Sequence, residues 1–213
     1  ITYDGETPAP GPDSIVIKFA TPVEANRAVA MNTRMYEREV TFFNSVAPSV
    51  DVPMPPCYFA AVDTTTGENI VALEDLKAYR AGDQVDGVGV DEAKLIIDAI
   101  VPLHAAFWGQ TDQPLLDNAM RIDSSYVETF PPSLDMTWEN CVRLFPHAIA
   151  PDVLPEVGTY VEQIRSVMKM MGQRTQTFVH GDVRLDNVMF GSGPEQHPVM
   201  LVDWQAVMVS NPA

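Results

Sequence analysis

A run of polar residues near the end of the chain constrains the fold more than any other feature. The run begins at His180 and reads HGDVRLDN, and short β-forming segments stand on both sides of it. A further apolar run downstream ends in Asp203. Loops held on a rigid scaffold commonly carry binding and catalytic residues. The spacing therefore predicts that Asp182, Asn187 and Asp203 lie in one site.

These residue types suit the handling of phosphate and a divalent cation. Carboxylate and amide oxygens are the ligands that Mg²⁺ prefers, and a carboxylate can orient a hydroxyl group and accept its proton during phosphoryl transfer. A carboxylate at the end of an apolar strand, as at Asp203, is costly to bury unless it is paired or bound to a cation. The competing interpretation is a turn in which Asp and Asn side chains bond the backbone, with Asp203 in solvent. The loop and Asp203 together favour the phosphate-handling site.

The neighbouring polar residues leave alternatives open. His180 is either a general base or a structural residue that bonds the loop backbone, and the structural role is favoured. Arg184 either contacts the transferred phosphate or pairs with a nearby acid. Asp186 is a second metal ligand or, more in keeping with the pattern, a solvated or structural residue. His104 lies beside an apolar helix face and is interpreted as a core histidine.

Lys18 and Glu39 are charged residues in apolar surroundings. Lys18 lies in a strand predicted over 14–20, in which both faces are largely apolar, and Glu39 lies within the apolar stripe of a helix predicted over 24–47. A lone lysine in such a strand would extend its amine to water, but an unpaired buried glutamate is costly. We expect the two to pair between strand and helix, because that arrangement holds the ammonium against nucleotide phosphates.

The rest of the pattern predicts an α+β chain in two parts. Residues 1–76 are predicted as a strand, a helix and a hairpin, and residues 77–213 as a mainly helical part that carries the polar loop. A polar connector over 77–89 joins them. Helical periodicity predicts helices over 91–107 and 151–171. Their apolar stripes are Ile96, Ile100, Leu103 and Phe107, and Leu154, Val157, Val161, Ile164, Met168 and Met171. Further strands are predicted at 58–63, 69–76, 177–179, 188–190 and 199–203.

Composition excludes several classes of protein. The 213 residues carry a formal net charge of −16, and such an acidic surface disfavours nucleic acid as a partner. No apolar run is long enough to cross a membrane. Cys57 and Cys141 stand far apart and form neither a metal-binding spacing nor a disulfide framework, so we expect a reducing, cytoplasmic setting.

The motif and the strand that follows it also carry a family resemblance. HGDVRLDN, followed by an apolar strand ending in Asp203-Trp204-Gln205, resembles the aminoglycoside phosphotransferase and choline kinase group, and more closely its ecdysteroid-kinase-like branch. The segments YEREVTFF at 36–43, LEDL at 73–76 and LHA at 103–105 resemble that branch too. The resemblance runs from about residue 14 to 205, and the loop motif is its specific part.

The resemblance implies a two-lobed, protein-kinase-like fold with ATP in the cleft, built from a small β-rich N-terminal lobe and a mainly helical C-terminal lobe. It implies Asp182 as the catalytic base and Asn187 and Asp203 as the ligands of Mg²⁺. It also implies that Lys18 pairs with Glu39.

The hinge between the lobes is implied to follow residues 73–76, where backbone groups near Glu74 and Leu76 would hold adenine. Arg184 falls where protein kinases carry a lysine that contacts phosphate.

The chain departs from the family pattern at both ends. No glycine-rich loop precedes Lys18, since only Gly5 and Gly11 stand there, among prolines. The first two strands of the family and the helices that usually follow Gln205 are missing. We therefore expect both lobes to be truncated and the chain to be a fragment of a longer protein, whose activity the fragment need not retain.

The expected function is an ATP- and Mg²⁺-dependent phosphotransferase, a kinase that acts on a hydroxyl group of a small molecule. One alternative is a pseudokinase module that binds nucleotide without catalysis, which the intact Asp182, Asn187 and Asp203 disfavour. Another is a metal-assisted phosphohydrolase that uses the same carboxylates. The sequence specifies neither the acceptor nor the oligomeric state. The acidic residues between 83 and 123 suit a cationic acceptor, such as an aminoglycoside or choline, as well as they suit a solvated face.

Overall fold

The computed structural model describes residues 11–122, 137–138, 140–145, 147 and 156–212. The predicted helix over 151–171 begins outside these residues, so its first stripe residue, Leu154, is not described.

The N-terminal part contains an antiparallel sheet in the order β1-β3-β2. Its strands are β1 (Ile15–Phe19), β2 (Cys57–Val62) and β3 (Asn69–Glu74). β1 lies at the edge, and Ile17 and Phe19 on its outer face are exposed. The two largely apolar faces of this strand are therefore not both buried. On the other face Val16 is exposed too, and it is the neighbouring strand that reaches the core, where Val71, the partner of Lys18, is fully buried.

The predicted single helix over 24–47 is interrupted. α1 spans Glu24–Asn32 and α2 spans Met35–Thr41, with Arg34 between them in the left-handed conformation, φ 57°. The Arg34 guanidinium bonds Glu37 and the Asn118 side-chain oxygen, and these contacts support the break. α2 continues as a π-helical turn over Phe42–Val46 and a 3₁₀ turn over Ala47–Ser49. The break leaves the predicted burial of Glu39 intact.

Two long helices and several short strands stand out among the described residues of the C-terminal part. α3 covers Val90–Phe107 and α4 covers Glu156–Gly172. One sheet has the order β4-β7-β8, from Arg80–Ala81, Val188–Phe190 and Val199–Leu201, and the other has the order β5-β9-β6, from Met120–Arg121, Met208–Ser210 and Thr177–Val179. The predicted strands of this part are confirmed, while the last of them stops two residues before Asp203.

One apolar core extends from the N-terminal sheet into the C-terminal part. At its centre the Phe42 and Trp204 rings stack with centroids 4.0 Å apart and planes 8° apart. The predicted stripe of α3 contributes Leu103 and Phe107, and that of α4 contributes Met168 to a smaller cluster. Stacked aromatic pairs add about 0.5–1.5 kcal/mol beyond the area they bury. This packing fixes α2 against the segment that follows Asp203.

Among the described residues, every helix is too short or too polar to cross a bilayer.

Candidate active site

The predicted pair of Lys18 and Glu39 is present, and it extends to a third residue. The Lys18 Nζ lies 2.6 Å from Glu39 Oε1 and 2.8 Å from Asp203 Oδ1. Glu39 is 1% exposed, whereas a third of the Lys18 side chain remains accessible. The ammonium therefore joins β1, α2 and the strand end that carries Asp203, and it keeps one side open to solvent.

Burial and charge oppose each other in this trio. Burial by itself would lower the pKa of Lys18, but the adjacent Glu39 and Asp203 outweigh it and the pKa stands above its ordinary value. For Glu39, burial raises the pKa against the pull of Lys18. Removing charge from one partner would thus be felt by the other two, because the low local dielectric strengthens their interaction.

The polar loop places Asp182 and Asn187 in direct contact. The Asn187 side-chain amide donates to the Asp182 carboxylate at 3.0 Å and to the Asp182 carbonyl at 2.9 Å. The loop lies against the turn after Asp203, since a Cβ atom on Gly181 would come within 2.1 Å of the Ala206 carbonyl oxygen. Gly181 also has φ +83°, a conformation that glycine adopts without strain. Glycine is therefore favoured at position 181 over every other residue for two independent reasons.

His180 connects the loop to the strand that ends near Asp203. Its Nδ1 accepts the Asp182 backbone N–H at 3.3 Å, so its proton lies on Nε2, which donates to the Val202 carbonyl oxygen at 3.0 Å. Burial lowers the pKa of His180, despite that bond and the nearby carboxylates. This geometry matches the favoured structural role, because a neutral imidazole with both nitrogens in hydrogen bonds has no free nitrogen to accept a proton.

Asp203 occupies an unusual backbone conformation at the end of its strand. Its φ of 67° is left-handed, and its Oδ2 accepts the Gln205 side-chain amide at 3.1 Å. Just before it, the Val202 N–H donates to the Asn187 carbonyl at 3.0 Å. That bond sets the strand end directly beside the polar loop. The structure thus brings Asp182, Asn187 and Asp203 to adjoining backbone segments.

The donor set fits a hard divalent cation. Asn187 uses its amide nitrogen toward Asp182, which leaves its side-chain oxygen as the available acceptor. Asp203 offers carboxylate oxygens that now accept from Lys18 and Gln205. Among the described residues no three His, Cys, Asp or Glu side chains cluster closely enough to hold a metal. A half-buried amide and carboxylate match the way Mg²⁺ is held, with few protein ligands and retained water or phosphate oxygens.

Arg184 and Asp186 interact with each other. The Arg184 guanidinium pairs with Asp186 Oδ2. Of the two roles predicted for Arg184, the structure therefore shows the pairing with a nearby acid. Asp186 Oδ1 accepts the Gln84 backbone N–H at 3.2 Å. Since both Asp186 oxygens already accept from protein donors, its structural role is the one the geometry matches.

A cavity of about 460 Å³ opens beside the Lys18 ammonium. Its walls include Glu74 and Leu76, the residues predicted to flank the adenine-binding hinge. The Glu74 backbone N–H is bonded to the Pro56 carbonyl and the Leu76 carbonyl accepts from Tyr79. The further lining is mostly apolar and is formed by Val16, Pro55, Leu73, Tyr79, Ala81, Met189 and Val202, with Asp75, Lys77 and Asp203 at its polar positions.

Sequence reasoning missed Arg38 and Gln84. Arg38 is buried beside Glu39 on α2 and donates to the Gln205 carbonyl at 3.1 Å, which ties α2 to the turn after Asp203. A signal for Arg38 exists, because it stands four residues before Phe42 and so faces the core stripe. Gln84 lies in a polar connector without periodicity, and its partner is about a hundred residues away, so nothing local identifies it.

The comparisons with known proteins agree with this architecture. A solved mutant of aminoglycoside 2′-phosphotransferase IIIa in complex with GDP superposes with a TM-score of 0.53 at 16% sequence identity. The match covers 85% of this chain and 59% of that chain. At that identity the similarity shows the fold, which is kinase-like. Among curated proteins no match was found.

The sequence matches the ecdysteroid kinase-like family over residues 8–213, and the chain belongs to that family. The predicted family and the α+β, kinase-like fold are thereby confirmed.

Proposed function

We propose that this chain is the catalytic part of an ATP- and Mg²⁺-dependent kinase that phosphorylates a hydroxyl group of a small molecule. One observation carries the proposal: the Lys18 ammonium contacts Asp203 and Glu39 at the mouth of an apolar cavity. A nucleotide base suits the apolar walls, and its phosphates suit the accessible side of the ammonium. The boundary between the two predicted lobes would then fall near residue 76, at the cavity wall.

Asp182 is the residue that we assign to the acceptor. Its carboxylate is oriented by Asn187 and its backbone N–H is held by His180. The hydroxyl oxygen of the acceptor attacks the γ-phosphorus while Asp182 accepts the hydroxyl proton. The bond between the γ-phosphorus and the bridging oxygen breaks, and ADP leaves with that electron pair. The products are the phosphate ester, ADP and a proton.

Asn187 and Asp203 are the residues that would hold Mg²⁺. When bound, the ion would neutralise phosphate charge. Lys18 would bind phosphate oxygens next to that site, since its ammonium contacts Asp203, and Glu39 holds the ammonium in place. The contribution of the protein is then mostly positioning and electrostatic stabilisation.

The test is a phosphoryl-transfer screen of the full-length protein against hydroxylated metabolites and antibiotics, with Asp182→Asn as the diagnostic variant. Asparagine keeps an oxygen for the Asn187 amide but cannot accept a proton, so turnover should fall at least about 100-fold. Nucleotide affinity should stay within about threefold, because Asp182 does not line the cavity. Asp117→Asn, at an exposed position that does not line the cavity, is the matched control and should behave as wild type.

Each other outcome points to a different class. Magnesium-dependent ATP binding without transfer to any acceptor would indicate a pseudokinase. Equal release of inorganic phosphate with and without acceptor would indicate a phosphohydrolase. Near-normal turnover of Asp182→Asn would refute Asp182 as the base.

A further inference from the structure

The connector over 77–89 and the polar loop hold each other through a reciprocal pair of hydrogen bonds. The Gln84 backbone N–H donates to Asp186 Oδ1 at 3.2 Å, and the Leu185 backbone N–H donates to the Gln84 side-chain oxygen at 2.9 Å. Each segment thus satisfies a backbone donor of the other with a side-chain acceptor. Two bonds between the same two segments restrict rotation as well as separation, which one bond would not do.

The contact continues along the connector on the N-terminal side of Gln84. The Gly82 N–H donates to the Val188 carbonyl at 2.8 Å, and a Cβ atom on Gly82 would lie 2.3 Å from the Leu185 carbonyl oxygen. Only glycine allows so close an approach of the two backbones. Before it, Arg80 pairs with Phe190 in the β4–β7 ladder. The connector is therefore held against the loop from Arg80 to Gln84.

Local structure presents Gln84 to the loop. The Asp83 side chain accepts the Val85 and Asp86 backbone N–H groups at 2.7 and 3.1 Å, which closes a tight turn around position 84. The side chain of Val85 is 94% exposed at the tip of that turn. The turn thus directs one side chain to the loop and the next one to solvent.

The bonded residues belong to the short turn between the proposed base and the proposed metal ligand. Leu185 begins the 3₁₀ turn that ends at Asn187, and the Asn187 N–H donates to the Arg184 carbonyl. A shift of this turn would move Asn187, and with it the amide that orients the Asp182 carboxylate.

We propose that Gln84 and Asp186 are a pair of positioning residues, which hold the polar loop in a fixed position relative to the wall of the cavity beside Lys18. The connector lines the cavity with Lys77, Tyr79 and Ala81 and reaches the loop at Gln84, a few residues later. The pair thereby couples the place where the nucleotide base would lie to the place where the acceptor hydroxyl would be activated. This inference rests on the proposed function.

The first experiment measures turnover and KM in the full-length protein for Gln84→Ala, Asp186→Ala and Asp186→Asn. Asparagine keeps the oxygen that accepts from Gln84 and loses only the charge that pairs with Arg184. We expect the two alanine variants to lose about tenfold in kcat with KM for ATP changed less than about twofold, since misplacing a reacting group by an ångström can cost up to about 100-fold. Asp186→Asn should retain most of the activity. The double alanine variant should be no worse than either single variant, because the pair acts as a unit.

The matched control is Val85→Ala, one residue along the same turn, and it should keep wild-type kinetics. Equal loss in Asp186→Asn and Asp186→Ala would overturn the inference, because the ion pair with Arg184 rather than the bond to Gln84 would then matter. Wild-type turnover in Gln84→Ala would overturn it as well.

The second experiment is independent of catalysis. Hydrogen exchange of the Leu185 backbone amide should be faster in Gln84→Ala by up to about tenfold, the factor that the net contribution of one hydrogen bond allows. Exchange at distant amides and in Val85→Ala should be unchanged. If the wild-type protein transfers no phosphate, the proposed function fails while this measurement still decides whether the two segments are coupled. Unchanged exchange at Leu185 in Gln84→Ala would show that the two segments are not coupled through this bond.

Discussion

Replacing Lys18 with methionine should destabilise the protein far more than replacing its partner Glu39 with glutamine. In Lys18→Met the Glu39 carboxylate stays 1% exposed and loses the ammonium 2.6 Å away. The Trp204 backbone N–H still donates to that carboxylate. In Glu39→Gln the lysine keeps Asp203 at 2.8 Å and its contact with solvent, and the new amide oxygen can still accept from it.

The magnitudes follow from this asymmetry. Removing one partner of a buried ion pair costs about 3–5 kcal/mol. We take the lower end for Lys18→Met, about 3 kcal/mol, because Glu39 can bind a proton instead. For Glu39→Gln we expect about 1 kcal/mol, the net contribution of one hydrogen bond. The double variant Lys18→Met, Glu39→Leu should recover most of the lost stability, because no unpaired buried charge remains in that pair.

The assay is urea unfolding monitored by tryptophan fluorescence between pH 5 and 8, with Lys94→Met as the matched control. Lys94 forms an exposed pair with Asp91 on α3, and its removal should cost about 0–1 kcal/mol. Without Lys18, the folded-state pKa of Glu39 lies above its unfolded value. The deficit of Lys18→Met should therefore be smallest at low pH and grow as pH rises through that folded-state pKa. A larger cost for Glu39→Gln than for Lys18→Met, or a cost equal to that of Lys94→Met, would refute the reasoning.

Two further predictions concern the loop. Burial lowers the folded-state pKa of His180, so the free energy of unfolding should fall as the pH drops from the unfolded-state pKa of about 6.5 toward the folded-state pKa. In urea titrations His180→Gln should remove this part of the pH dependence, and the control His197→Gln, at an exposed position, should leave it in place. Gly181→Ala should cost at least about 1–3 kcal/mol and reduce turnover, because the residue has φ +83° and faces the Ala206 carbonyl; thermal unfolding and the transfer assay check both, and wild-type values in each would show that the loop can move away at no cost.

The sequence was most informative where chemistry and local pattern coincide. Asp182 and Asn187 are five positions apart in one loop, so their contact follows from local spacing. The pairing of Lys18 with Glu39 could be predicted because a charge in an apolar strand and a charge in an apolar helix stripe each need a partner. The family and the fold class followed from the same motifs, and both are confirmed.

Features set by distant partners could not be predicted. The helix break at Arg34 was not predicted, and one of the two side-chain contacts that support it is with Asn118, 84 positions away. The exposure of β1 depends on its place at the sheet edge, which strand periodicity does not reveal. Gln84 and Asp186 are ordinary polar residues until the fold places their segments side by side.

The left-handed backbone at Asp203 limits which residues the chain can carry there. Among the twenty amino acids only glycine, asparagine and aspartate enter that region readily, and of these only aspartate brings a negative charge. A mutational survey that places alanine or a β-branched residue at this position would change the main chain and the carboxylate together. Backbone geometry alone thus restricts which amino acids fit at position 203, apart from any requirement of phosphate chemistry. Asp203→Asn is the substitution that removes the carboxylate while keeping a residue suited to this backbone conformation.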